Sequence, residues 1–149
     1  MSLETKIMED LKVAMKNKDE AAKRSIRAIK AAILLHKTGG SGRELDEAGE
    51  IKLLQKLVKQ RQDSLEIYEK QGREDLAKAE REEIAVIKKY LPEQMSEAEL
   101  EAALKKIIET TGATSMKDMG RVMGTASKQL AGRADGKTIS TVVRRLLAG

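Results

Sequence analysis

The feature that most constrains this chain is its single proline, Pro92, set between two long stretches whose apolar residues recur at intervals of three and four. Proline lacks an amide hydrogen and disfavours helix at the residue before it, so a helix arriving from the N-terminal side must stop there. On that side the spacing is that of amphipathic helices. Leu3, Ile7, Leu11 and Met15, after Ser2, predict a first helix to about Asn17. Asp19 can cap a second that runs to about Lys37, with Ala22, Ile26, Ile29 and Ile33 on one face and Gly39-Gly40 as its stop. TGGSGRE, from Thr38 to Glu44, is Gly/Ser-rich and reads as a loop. From Asp46, the positions Ile51, Leu54, Val58, Leu65 and Tyr68 predict a long third helix ending at Gly72. Asp75 then begins a fourth, lined by Leu76, Ile84, Ile87 and Leu91.

Beyond the proline, Ser96-Glu97-Ala98-Glu99 has the form of a capping box, followed by Leu100, Leu104, Ile107 and Ile108 and stopped by Gly112. Ser115 caps a sixth helix with Met116, Met119, Met123, Ala126 and Leu130 as its stripe and Gly132 as its stop. A last helix, begun near Asp135 or Ser140, carries Ile139, Val142, Val143, Leu146 and Leu147. No apolar/polar alternation of strand length and no fixed repeat is present. The expectation is an all-α, multihelical fold: a four-helix N-terminal subdomain over residues 1–92 and a three-helix C-terminal subdomain over 93–149.

Composition then narrows the chemistry. With 149 residues and neither Phe nor Trp, the core must be aliphatic and methionine-based. The absence of cysteine excludes disulfides, Cys-ligated metals and thiol catalysis, and a single histidine, His36, argues against multi-His metal sites and Ser/His hydrolysis. His36 itself reads as a cation near a helix C-terminus. No metal and no cofactor are expected. No apolar run approaches the ~20 residues of a membrane span, and MSLETKIMEDLK at the start has acids and no apolar h-region. The expectation is a cytoplasmic protein without membrane contact.

The charge is uneven. Against a net +5, Met119 to Gly149 holds six cations (Arg121, Lys128, Arg133, Lys137, Arg144 and Arg145) and one acid, Asp135. The whole excess therefore sits in this C-terminal stretch and points to an anionic partner. Gly132 to Thr138 has a GKT ending but lacks the spacing and the preceding strand of a phosphate loop, so Gly132 and Gly136 read as a tight joint between helices. Gly120 and Gly124 lie four apart on one helix face, where each costs about 1 kcal/mol relative to alanine. Something should therefore come close: a neighbouring helix, or a phosphate or RNA sugar beside Arg121, Lys128 and Arg133. Arg61 falls on the apolar seam of the third helix and requires an acid, Glu80 or Glu83, or an anion site shared with Arg73. Glu74 and Asp75 suit a helix start, and Glu80, Glu82 and Glu83 otherwise read as a solvated face.

Three strings carry a resemblance: KQRQDSLEIYEKQGREDLAKAEREE from Lys59, YLPEQMSEAEL from Tyr90, and DMGRVMG with GRADG between Asp118 and Gly136. On these the chain resembles the YqeY-like family, which is related to the tail of the B subunit of the glutamine-dependent tRNA amidotransferase. The resemblance implies a fold of four helices plus three and places tRNA contact at the GRVMG and GRADG region. Carbon–nitrogen ligase activity with glutamine as amide donor attaches only by association, since the chain has no serine/lysine amidase signature and no ATP-binding loop. The leading expectation is a tRNA-binding or amidotransferase-associated accessory protein, with the six C-terminal cations on phosphates. The alternatives are a protein-interaction module that docks on aminoacylation or amidotransferase proteins through its apolar and Gly120/Gly124 surfaces, and an amidotransferase partner that needs other subunits.

Overall fold

A computed structural model of the chain describes residues 2–39 and 45–148. Seven α-helices and one 3-10 turn account for its regular structure, with no strand among the described residues, so the chain is all-α as the periodicity predicts. Of the expected loop over residues 38–44, Thr38 closes the second helix and Gly39 caps it; the other residues lie outside those described. The chain divides into two compact units, Met1–Leu91 and Pro92–Gly149.

The first unit holds α1 (Leu3–Lys16), α2 (Glu20–Thr38), α3 (Glu47–Lys70) and α4 (Glu74–Lys88). Ser2, Asp19 and Asp46 cap the first three, each side-chain oxygen accepting a first-turn amide at 2.8 to 3.2 Å. Gly72, at φ +70°, supplies the left-handed residue that lets α3 turn back into α4. α4 packs against both α2 and α3, and α1 against α2. Ile7, Ile29, Leu54 and Ile87 are fully enclosed, and each contributes roughly 1.5–3 kcal/mol by leaving water. Tyr90, just past α4, donates its hydroxyl to Asp10 on α1, and the Lys6 ammonium lies 5.4 Å from its ring centre. Burial and the Asp10 carboxylate push the Tyr90 phenol well above its ordinary range.

Two expected faces shift by a residue. In α1 the buried position is Ala14, while Met15 is half exposed. Steps of four overshoot a 3.6-residue turn by about 40° each, so by Met15 the row has swung about 120° off the seam. In α4 the seam takes Ala77 in place of Leu76. α4 also ends at Lys88, before the expected Leu91, and the chain runs on to Pro92 in tighter turns, with the Tyr90 and Leu91 amides donating to the Ile87 and Lys88 carbonyls.

The second unit holds α5 (Glu97–Thr111), a 3-10 turn (Met116–Asp118), α6 (Met119–Gln129) and α7 (Gly136–Ala148), the three helices in mutual contact. The capping box of α5 forms in full: the Glu99 amide donates to Ser96 Oγ and the Ser96 amide to Glu99 Oε1, both at 3.1 Å. The Ser96 amide, followed by the Ser96 hydroxyl, holds the Glu99 carboxyl below the usual range. The core is Leu100, Leu104, Ile107, Val122, Ala126, Leu130, Ile139, Val142 and Val143, with Met119 and Met123 at its edge. Val122, absent from the expected stripe of the sixth helix, is fully buried, whereas Met116 is exposed because the chain there is 3-10 and out of phase with α6.

Candidate functional site

The joint between α6 and α7 is the most constructed part of the second unit. α6 stops at Gln129, and Gly132 takes φ +77°, the left-handed turn expected of the GRADG string. The turn is laced to the segment after Pro92. The Met95 amide donates to the Arg133 carbonyl at 2.9 Å, the Gln94 side-chain amide to the Gly132 carbonyl at 2.6 Å, and Arg133 Nε to the Glu93 carbonyl at 3.2 Å. Asp135 accepts the Thr138 amide at 2.7 Å and so caps the start of α7. Between this turn and the first turns of α5 and α7 lies a cavity of about 510 Å³, with Met95, Leu100 and Val142 as apolar lining and Glu97, Arg133, Asp135 and Lys137 as charged lining.

Of the six cations singled out in the sequence, Arg133 and Lys137 are therefore brought together in one cavity wall. Arg121 pairs with Asp118 at 3.1 Å, and Asp118 is in turn held below the usual carboxylate range chiefly by the Thr114 amide. Arg145 reaches Glu101 at 3.6 Å. Lys128 and Arg144 stand exposed on α6 and α7.

Gly120 and Gly124 are exposed, and a Cβ at either would meet nothing within 4 Å. The expected close approach of a neighbouring helix is thus absent among the described residues. The reason is angular: each glycine is two residues, about 200°, from Val122 or Ala126, the positions α6 turns inward. Gly136, at the head of α7, likewise has open space around it. Arg61 and Arg73 have separate partners. Arg61 Nε lies 3.5 Å from Glu83 on α4, whereas Arg73 forms a local pair with Asp75 at 3.0 Å. Gln94, Met95 and Glu97 stand in the YLPEQMSEAEL string but carry no local sign of a site, because they come beside the GRADG turn only through the fold, about 40 residues away.

Comparison with known proteins adds relatives. The chain is 38% identical over 104 residues to "Altered inheritance of mitochondria protein 41, mitochondrial" of Lachancea thermotolerans, a match covering 68% of this chain and 56% of that protein. The proteins of the same name are 31% identical over 134 residues in Saccharomyces cerevisiae and 33% identical over 119 in Vanderwaltozyma polyspora. Those matches cover 89% and 76% of this chain, and 70% and 64% of the yeast proteins. The chain thus spans little more than half of the Lachancea relative.

These names overturn two expectations. A tRNA-binding or amidotransferase-associated accessory role, with its docking and ligase alternatives, gives way: the relatives are named for the inheritance of mitochondria. The charge count that favoured phosphates also overstated the free cations, because Asp118 and Glu101 lie against Arg121 and Arg145. The cytoplasmic expectation rested on the lack of an apolar span or leader-like start, and conflicts with relatives named as mitochondrial. Family membership rests on firmer ground, since the family described as Yqey-like protein matches residues 4–147, all of α2 through α6 and nearly all of α1 and α7. The chain belongs to the YqeY-like family.

Proposed function

We propose that this chain acts in the process its relatives are named for, the inheritance of mitochondria, and that it does so by binding a ligand through its C-terminal unit. The observation that carries the reading is the extent of the likeness: 31% identity runs over 134 residues and 89% of the chain, through the helices of both units. The cavity beside the α6–α7 joint supports binding as the mode of action, for it combines an apolar lining with charged groups at its edge, the make-up of small-molecule sites.

Complementation tests the cellular role. The chain, fused to a mitochondrial leader, is expressed in a Saccharomyces cerevisiae strain lacking the relative, and transmission of mitochondria to daughter cells is scored. Restored transmission is the expected result. Failure to restore it, with the chain shown by fractionation to be inside mitochondria and folded, overturns the reading.

A further inference from the structure

We propose that the cavity framed by the first turns of α5 and α7 and the 130–135 turn binds a small zwitterion, an α-amino acid with an apolar side chain. The proposal rests on the binding reading above, but its test is separate, because it is made on the purified chain. The volume, about 510 Å³, falls in the range of roughly 300–1,000 Å³ usual for small-molecule sites. Leu100 and Val142, 2% and 5% exposed, form with Met95 an apolar surface that belongs to the core and is fixed by it.

The charged lining is what selects the ligand. Asp135 also faces the cavity, but its carboxylate is engaged by the Thr138 amide as the cap of α7. Arg133 uses only its Nε, on the Glu93 carbonyl, and its terminal nitrogens make no hydrogen bond among the described residues. Lys137 and Glu97 enter no side-chain hydrogen bond or ion pair among those residues. The place of Lys137 is not one that folding favours: it stands in the first turn of α7, at the positive end of the helix dipole, and that turn holds no acid. The Glu99 carboxylate attracts Arg133 from the first turn of α5, but it makes no hydrogen bond to it, so two cations and one carboxylate line one cavity with hydrogen-bonding capacity to spare and match a ligand that carries a carboxylate and an ammonium. The carboxylate would take charge-assisted hydrogen bonds from Arg133 and Lys137, the ammonium would donate to Glu97, and the side chain would lie on Met95, Leu100 and Val142.

The test is an amide NMR titration of the full chain with L-leucine, with 4-methylpentanoate, which lacks the amine, with 3-methylbutylamine, which lacks the carboxylate, and with inorganic phosphate. L-Leucine is expected to shift amides within residues 94–100 and 133–142, and each analogue to bind about 10-fold more weakly, as when a charged group of the site loses its partner. Lys137→Ala should weaken leucine several-fold with the spectrum of the first unit unchanged. Glu97→Gln should weaken leucine and leave 4-methylpentanoate as it was. No shift at leucine concentrations on the order of 10 mM, where even millimolar affinity saturates, overturns the proposal. So does equal binding of 4-methylpentanoate or phosphate at the same amides, which would make this a plain anion site. Loss of leucine binding with complementation intact sinks the ligand alone, and the reverse result sinks the cellular role alone.

Discussion

Arg61 stands on the inward seam of α3 with its side chain only 16% exposed, and Glu83 on α4, 17% exposed, answers it at 3.5 Å. One terminal nitrogen donates to the Leu57 carbonyl at 3.1 Å, but Nε has no hydrogen-bond acceptor, so the pair is held by charge more than by geometry. Such a pair adds little over apolar residues, yet removing one partner strands the other. Glu83→Ala should therefore destabilise the chain by about 1–3 kcal/mol, and Arg61→Met with Glu83→Met should restore most of that loss. Urea unfolding at neutral pH measures both, and a double variant no more stable than the single would show that the ion pair is not the cause. Glu80 is the third charge of this cluster, and burial followed by the Glu83 carboxylate raises its pKa, with Arg61 opposing. The folded state then holds the Glu80 proton more tightly than the unfolded chain does. The resulting stability is present at low pH and is lost as pH rises through the raised value. Glu80→Gln should flatten that component from the ordinary carboxylate range upward, with a slope unchanged from the parent counting against it. At Gly124 the argument is simpler. With open space for a Cβ and no positive φ, Gly124→Ala should stabilise by about 0.5–1 kcal/mol, and a loss of stability there would mean that α6 is not free on that side.

Among the elements, α5 has the fullest start, with both bonds of its capping box made, whereas α4 begins at Arg73 with no side-chain cap. Ser96→Ala should cost about 1 kcal/mol, read as a lower unfolding midpoint, and an unchanged midpoint would mean that the two bonds add nothing over water. The capping box could be read in the sequence because cap and partner lie three residues apart, within one element. The same locality made the buried faces of α2 and α5 readable: Ile26, Ile29 and Ile33, then Leu100, Leu104 and Ile107, alternate steps of three and four and stay on one side. Rows built on steps of four alone drifted, as in α1, and the methionine row of the sixth helix failed where the 3-10 turn changed the period. For Arg61, burial on the seam was legible and so was the need for an acid, but the choice between Glu80, Glu83 and an anion was a matter of α3–α4 packing. The candidate site was legible only as cations and glycines. Its walls come from two segments about 40 residues apart, joined by one backbone–backbone bond and by bonds from the Gln94 and Arg133 side chains to backbone carbonyls, and no spacing in the chain announces which carbonyls those are.

At the scale of the whole molecule, the two cores share no residue. Every buried member of the first cluster lies at or before Ile87, and every member of the second at or after Leu100. The fragment 92–149 therefore carries a complete core of its own, though a chain of that size buries only about 60% of its unfolded surface and sits near the limit of independent stability. We expect it to be helical by circular dichroism and to unfold cooperatively. Leu104→Ala, which empties a fully buried position at a cost of about 2–5 kcal/mol, should leave the fragment unfolded while the first unit of the full chain persists. A fragment with no helix at 25 °C would mean that the second core depends on the first unit, against what the separate clusters imply. All residues lining the cavity fall at Gln94 or later, and the three bonds that lace its turn have both ends at Glu93 or later. A folded fragment should accordingly show the same leucine-dependent amide shifts as the full chain. If it folds and the shifts vanish, the first unit contributes to binding in a way that the lining of the cavity does not reveal.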